Sequence, residues 1–219
     1  MRRLTLRTLA AVSLLATPGC WNLAFAKPVT LNDGKRVLLG KLIEPKGKSM
    51  TKGVILMVHG TMAHLNQETI AGVQKALTER GFPTVAITLS LGLSQRKGML
   101  PCDIVHRHKH SNAVREIRIW HEWLKANGAT RIVLFGHSRG GNQVVNYAAS
   151  NAGKSLAAVV ALAPSTWSIE KANSSYRKRF DRDRTTDVRS ARAKKSAMLS
   201  DHPFMSCNKV KVLASTFVD

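Results

Sequence analysis

Residues 131–147 read Arg-Ile-Val-Leu-Phe-Gly-His-Ser-Arg-Gly-Gly-Asn-Gln-Val-Val-Asn-Tyr, and this stretch decides how the chain folds. Residues 132–135 are a short apolar, β-branched run that predicts a buried strand, and residues 142–151 have the spacing of a helix. Between them stands Gly-His-Ser-Arg-Gly, which fits the pattern G-x-S-x-G. A strand that reverses into a helix so abruptly forces the residue at the turn into a strained backbone conformation. The stretch therefore predicts a sharp strand-to-helix turn with the Ser138 hydroxyl exposed at its tip.

Two glycines flank this turn at equal distances from the serine. Gly136 and Gly140 carry no Cβ atoms, so a strand and a helix can close on each other there. The alternative is a Rossmann-like domain in which Ser138 only fills a turn. No G-x-G-x-x-G follows any predicted strand, which argues against a dinucleotide-binding domain.

A second apolar run, Val54–Val58, also predicts a buried strand, and it ends in His59-Gly-Thr-Met62. With both stretches in view, the chain resembles the α/β-hydrolase superfamily over roughly residues 35–165. More narrowly, it is similar to a group of exported bacterial α/β-hydrolases. The segments that carry this similarity are His59-Gly-Thr-Met-Ala-His64, Leu89-Ser-Leu-Gly-Leu93, His106-Arg-His-Lys-His110 and Gly136-His-Ser-Arg-Gly-Gly141.

The resemblance implies a catalytic site. Ser138 would be the nucleophile, and the backbone N–H groups of Thr61 and Arg139 would form the oxyanion hole. The residues expected to line this site are His59, Gly60, Gly136, His137 and Gly140. The implied partner is a small-molecule acyl substrate such as an ester, and neither a cofactor nor a metal is expected.

Strand and helix patterns alternate along the chain, which predicts an α/β fold with a doubly wound, mainly parallel sheet. Asn32-Asp-Gly34 predicts a tight turn between two N-terminal strands. Helices are predicted at residues 66–80, closed by Gly81, and at 112–127, with further strands at 85–91 and 157–162. Ligands bind at the carboxyl ends of such strands, where both the His59-Gly60 segment and Ser138 fall.

Residues 1–26 have the features of a cleaved signal peptide: three arginines, an apolar run over residues 9–16 and Ala-Phe-Ala before the cleavage point. Cleavage after Ala26 would leave 31 basic and 13 acidic residues and a periplasmic or secreted protein. Thr17-Pro-Gly-Cys20 has threonine where a lipoprotein signal has an aliphatic residue, which argues against a lipid anchor at Cys20.

The predicted hydrolase domain spans residues 27–219, with its core at about 35–165 and a lid-like segment at about 166–219. Residues 170–200 hold ten Lys or Arg and four acids, with no clear strand. This segment is expected to be helical and to lie over the sheet, either controlling access to the site or forming a solvated charged surface.

The histidine base and the carboxylate that activate a catalytic serine follow it in this superfamily. After Ser138 the only histidine is His202, and Asp219 is the candidate for the carboxylate. No pattern for a C-terminal helix follows His202, so we favour a chain whose last strands, with the acid and base, are missing. On that interpretation catalysis is impaired.

Three further histidines, His106, His108 and His110, alternate with basic residues. In an extended segment they would all face one side, as a three-histidine metal site requires. A substrate-lining role and an ordinary solvated loop are the alternatives, and neither needs a metal.

Two cysteines remain after signal cleavage, Cys102 and Cys207, and they are either disulfide-bonded or two buried thiols.

The net charge of +21 predicts attraction to polyanions. A non-catalytic envelope protein that binds anionic polymers or lipid is therefore the alternative to a serine hydrolase. A specific nucleic-acid binder is disfavoured, since no alternation of aromatic and basic residues is present. Nothing in the sequence indicates an oligomeric state.

Overall fold

The computed structural model describes residues 25–151 and 155–219. The strands are β1 (Phe25–Asn32), β2 (Val37–Glu44), β3 (Val54–Val58), β4 (Thr84–Thr88), β5 (Val105–His106), β6 (Ile132–His137), β7 (Leu156–Leu162), β8 (Met198–Phe204) and β9 (Cys207–Leu213). The helices are α1 (Glu68–Glu79), α2 (His110–Ala126), α3 (Arg139–Asn151), α4 (Ile169–Phe180), α5 (Arg184–Lys194) and α6 (Ala214–Phe217).

Six strands form the main sheet in the order β1-β2-β4-β3-β6-β7. The four from β4 to β7 in that order are parallel, and the β1–β2 hairpin joins them antiparallel. The structure thus confirms the doubly wound, mainly parallel sheet and the hairpin turn, where Gly34 has a φ of 86°. At the outer edge of β7, Val160 and Leu162 are 46% and 40% exposed.

The central strands are apolar on both faces because helices cover both. Leu56 and Val58 of β3 pack into a cluster with Trp120 of α2. Met57, which points the opposite way, packs with Ile70 of α1. This period-two division explains why the strand sequence is a continuous apolar run.

Element boundaries differ from the predictions by a few residues. Helix α3 begins at Arg139, directly after Ser138, rather than at residue 142. Strand β4 ends at Thr88 instead of residue 91, and Leu91 has a φ of 47°. Gly81, with a φ of 86°, closes α1 as predicted.

The segment after β7 combines two helices with a second sheet. Ser168 and Asp183 cap the N-termini of α4 and α5 by accepting backbone hydrogen bonds. Strands β5, β9 and β8 then form a separate three-stranded sheet. The expectation of no strand through residue 200 was wrong, because β8 begins at Met198. A Cys102–Cys207 disulfide joins the loop before β5 to β9, which settles the alternative between a bond and free thiols.

The proposed signal peptide lies almost wholly outside the described residues. The proposed cleavage point after Ala26 falls inside β1, two residues from its start, so cleavage would leave the strand from Lys27 onward. Within the described part of the chain, every helix is too short or too polar to span a bilayer.

Candidate active site

The turn between β6 and α3 holds Ser138 in the left-handed region, with a φ of 54°. Such a conformation costs a non-glycine residue about 1–3 kcal/mol, so the surroundings must impose it. They do so with two kinds of backbone contact. The Ser138 N–H donates to the Leu162 carbonyl over 2.9 Å, and the Ser138 carbonyl accepts from the Gly141 and Ser165 N–H groups.

The two flanking glycines are required by close backbone approach. A Cβ atom on Gly136 would overlap the Gly140 carbonyl, and a Cβ on Gly140 would overlap the carbonyls of Val58 and His59. Because these obstacles are backbone atoms, they cannot turn aside as a side chain can. The strand-to-helix elbow therefore has the construction that the G-x-S-x-G pattern predicted.

The β3 loop lies against the elbow. A Cβ on Gly60 would stand 3.3 Å from both the Ser138 Cβ and the His137 Nδ1, so Thr61, the next residue, lies beside the serine. Arg139 is the first residue of α3, where a backbone N–H has no acceptor within the helix. In the described structure neither the Thr61 N–H nor the Arg139 N–H donates a hydrogen bond. Both N–H groups are thus free to donate a hydrogen bond to an oxyanion, one from the loop after β3 and one from the first residue of α3.

The Ser138 hydroxyl has one hydrogen-bond neighbour among the described side chains, the Ser165 hydroxyl at 3.3 Å. No described histidine or carboxylate lies within hydrogen-bond distance of it. His202, the histidine considered as the base, contacts the ring of Phe217 and places its Nε2 3.8 Å from Asp187 Oδ2.

Asp219 lies at the N-terminus of α2 and does not pair with a histidine. Its two carboxylate oxygens accept from the Ser111 N–H and hydroxyl, each over 2.9 Å. This arrangement caps the helix, because Ser111 stands in the first turn of α2, where N–H groups lack partners.

His59 supports the loop from below and does not line the cavity described next. It is 1% exposed, its Nδ1 lies 2.8 Å from the Gly60 carbonyl, and its Nε2 accepts from the Leu89 N–H. Burial, with the Arg96 guanidinium beside it, lowers the pKa of His59 to about 3. The ring is therefore neutral and holds the backbone at the proposed oxyanion hole.

Arg96 is a supporting residue that the sequence analysis missed. Its guanidinium is buried and donates to the carbonyls of Met62, Ala63 and Leu89. It thereby ties the loop after β3 to the loop after β4. Its sequence context, between Gln95 and Lys97, looks like solvated surface and gives no sign of burial.

The three alternating histidines do not share a face. His106 and His108 are buried, with ring centroids 5.9 Å apart, and both pack on Phe204. His110 begins α2, where its Nε2 lies 3.0 Å from Asn142 Oδ1 and its Nδ1 accepts from Arg139 Nε. The common face that an extended segment would give does not form, because strand β5 ends at His106 and helix α2 begins at His110. Among the described residues no group of three or more His, Cys, Asp or Glu could hold a metal.

A cavity of about 770 Å³ opens beside the elbow, between α4, α5 and the C-terminal segment. Ser165, the neighbour of the Ser138 hydroxyl, is on its wall. The other walls include basic and aromatic side chains, among them His110, Arg139, Trp167, Lys171, Tyr176, Arg179, Phe180, Arg184, Phe204 and Phe217. The lid-like segment therefore covers a space next to Ser138.

Comparison with solved structures finds the same fold in several hydrolases. The chain aligns with Est1E from Butyrivibrio proteoclasticus, solved with ferulic acid, at a TM-score of 0.61 and 18% identity, covering 86% of this chain and 68% of that one. A putative dienelactone hydrolase from Klebsiella pneumoniae aligns at a TM-score of 0.54 and 18% identity, covering 67% and 62%. Mouse alpha/beta hydrolase domain-containing protein 10 aligns at a TM-score of 0.52 and 16% identity, covering 80% and 61%.

No curated protein sequence matches the chain. The family model described as the alpha/beta hydrolase fold matches residues 53–211, which contain the elbow, the β3 loop and most of the segment over the cavity. The chain therefore belongs to the α/β-hydrolase fold family.

Proposed function

We propose that this chain is a serine hydrolase that cleaves an ester or related acyl compound through an acyl-enzyme on Ser138. The observation that carries the proposal is the positive φ of Ser138, a strained conformation imposed by the elbow that presents its hydroxyl beside a cavity. Two structural relatives agree with an ester or related acyl substrate: Est1E was solved with bound ferulic acid, and the other is named as a dienelactone hydrolase.

The proposed reaction has two steps. The Ser138 oxygen attacks the acyl carbonyl carbon and passes its proton to solvent water, and the carbonyl oxygen becomes an oxyanion held by the Thr61 and Arg139 N–H groups. The carbon–oxygen bond to the alcohol then breaks, and the alcohol takes a proton from water as it leaves. Water attacks the acyl-enzyme in the same way, which releases the acid and restores the serine.

We further propose that the chain, as given, catalyses this reaction slowly. No described histidine reaches the Ser138 hydroxyl, and an unassisted hydroxyl is a weak nucleophile. Serine hydrolases without their triad residues retain about 10³–10⁴-fold catalysis over water, from the oxyanion hole and binding alone. We expect activity of that order.

The test is covalent labelling followed by intact-protein mass spectrometry. A fluorophosphonate probe should add once to the wild-type protein over hours, and Ser138→Ala should abolish the adduct. Ser165→Ala is the matched control, because it removes the neighbouring hydroxyl, 3.3 Å away, and should keep the adduct. An adduct that survives in Ser138→Ala, or that disappears only in Ser165→Ala, would refute the assignment.

A non-catalytic envelope protein remains the second candidate, supported by the exposed basic side chains of α4 and α5. If the wild-type protein forms no adduct at all, this candidate replaces the first.

The proposed compartment is periplasmic or extracellular, which fits the Cys102–Cys207 disulfide because such bonds persist in oxidising compartments. Mass spectrometry of a periplasmic extract should find Lys27 as the N-terminus; an acylated N-terminus at Cys20 would contradict this.

A further inference from the structure

The cavity beside the elbow concentrates positive charge from three helices. Arg139 comes from α3, Lys171 and Arg179 from α4, and Arg184 from α5. Among the described residues, the one acidic side chain on its walls is that of Asp219, whose carboxylate oxygens accept hydrogen bonds from Ser111. The cavity therefore has a strong excess of cationic groups.

None of these four cations lies within 4.0 Å of a carboxylate in the described structure. Their hydrogen-bond acceptors are neutral groups: Arg139 donates to the imidazole of His110, and Arg179 donates to the Ser206 carbonyl. Arg184 has only a long contact to an asparagine oxygen. Among the described residues, Asp219 is the one carboxylate on the cavity wall, and it acts on Arg139 without forming an ion pair, so the charge that faces the cavity is only partly neutralised.

The same helices do pair their arginines elsewhere. Arg177 of α4 lies 2.8 Å from Asp183, and Arg182, just before α5, forms two hydrogen bonds to Asp187. None of these four residues lines the cavity. Asp183 and Asp187 thus pair with arginines outside the cavity, and no described carboxylate forms an ion pair with the arginines inside it.

The Arg139 guanidinium is the cavity cation whose burial without an ion-pair partner costs free energy. Its guanidinium is half-buried, and burial lowers its pKa. Its Cζ stands 5.9 Å from the centre of the Trp167 ring. A charge removed from water needs a partner of opposite sign, and a ligand anion would supply it.

We propose that this cavity binds an anionic group, a carboxylate or a phosphate, of the acyl substrate, and that the aromatic walls hold the apolar part next to it. The part of this proposal that makes the anion a group of the substrate rests on the proposed function. Ser165 connects the two sites, because it lines the cavity and contacts the Ser138 hydroxyl. The binding site for the anion stands on the cavity alone. The substrate class is therefore an acyl ester that carries a negative charge and an apolar or aromatic portion.

Binding is measured by calorimetry in the Ser138→Ala protein, so that chemistry does not enter. Benzoate and phenyl phosphate are the anionic probes, and benzyl alcohol is the neutral one. We expect one or both anions to bind at least tenfold more tightly than benzyl alcohol, because a charge-assisted hydrogen bond contributes about that factor or more. The anion that binds more tightly identifies the group as carboxylate or phosphate.

Two variants of α5 separate the cavity from the general surface charge. Arg184→Gln should weaken anion binding by about tenfold. Arg189→Gln removes the same charge from an exposed position of the same helix that does not line the cavity, and should change binding by less than about twofold. Equal losses in both variants, or benzyl alcohol binding as tightly as the anions, would overturn the proposal.

A competition experiment links the site to the substrate. Saturating anion should slow fluorophosphonate labelling of Ser138 in the wild-type protein. Anion binding without such protection would overturn the substrate assignment. If the wild-type protein is never labelled but the anion binds with the expected dependence on Arg184, the proposed function fails and the anion site stands.

Discussion

Acid should destabilise this fold in a defined pH window, because two histidines are buried as neutral rings. Burial lowers the pKa of His59 and of His108 to about 3, against an ordinary value of 6.5. For His59, protonation would place a donor where Nε2 now accepts from Leu89 and faces Arg96. Neither ring nitrogen of His108 has a partner among the described residues.

The direction of this pH effect follows from the pH at which the unfolded and the folded chain bind a proton on each ring. The unfolded chain takes up protons as the pH falls through about 6.5, and the folded chain does not until about pH 3. Stability is therefore fully present above pH 6.5 and is lost as the pH falls below it. At pH 5 each ring should cost about 2 kcal/mol, so the two together remove about 4 kcal/mol of a typical 5–15 kcal/mol.

Other groups modify the size of this effect in known directions. Burial also lowers the pKa values of five further histidines, which adds to the loss; these are His64, His106, His110, His121 and His202. Burial raises the pKa of the Glu116 carboxyl, which opposes the loss, since that group binds its proton more readily in the folded state. The balance remains a loss, because one carboxyl opposes seven histidines.

The assay is urea denaturation at pH 7.5, 6 and 5, with the free energy of unfolding taken at each. His108→Leu removes one buried titrating ring and should reduce the loss between pH 7.5 and 5 by about 2 kcal/mol. A wild-type free energy that stays constant from pH 7.5 to 5 would show that the rings are not buried neutral. A His108→Leu variant that loses as much stability as the wild type between pH 7.5 and 5 would show the same.

Two further predictions concern the construction of the fold. Reduction of the Cys102–Cys207 bond, which spans 105 residues, should lower the free energy of unfolding by about 2–5 kcal/mol, and an unchanged urea midpoint would contradict this. Gly140→Ala should destabilise the protein by about 1–3 kcal/mol and abolish Ser138 labelling, since its Cβ would overlap backbone. The control Gly72→Ala, an open position in α1, should instead stabilise by about 0.5–1 kcal/mol; equal behaviour of the two variants would refute the elbow geometry.

The elbow and the central sheet could be predicted from sequence because their signals are local. The apolar run Val54–Val58 is buried on both faces and was assigned to its last residue. Gly136 reports a backbone approach to Gly140, made within a few residues of the chain, whereas Gly140 reports the approach of the loop after β3. In both places propensity, pattern and packing agree, which is the condition under which a short stretch specifies its own structure.

The parts that were missed depend on contacts between distant residues. Strand β8 has register shifts, and Asp201 within it has a φ of 52°, so the strand lacks the two-residue alternation that would reveal it. The separation of His110 from His106 and His108 follows from the pairing of β5 with β9, about 100 residues later in the chain. Burial of Arg96 likewise depends on carbonyls from two other loops.

We expect the net charge of +21 to act on two kinds of partner, which differ in how salt weakens their binding. Exposed cations on α4 and α5 should attract anionic surfaces over a screening length of about 8 Å at physiological ionic strength, and buried groups are screened much less. Binding to vesicles that contain anionic lipid should therefore weaken steeply between 50 and 500 mM salt, whereas benzoate binding in the cavity should weaken far less. Arg189→Gln should affect vesicle binding at least as much as Arg184→Gln does, the reverse of their order for benzoate. Parallel salt curves for vesicles and benzoate would mean that the cavity cations behave as ordinary surface charge.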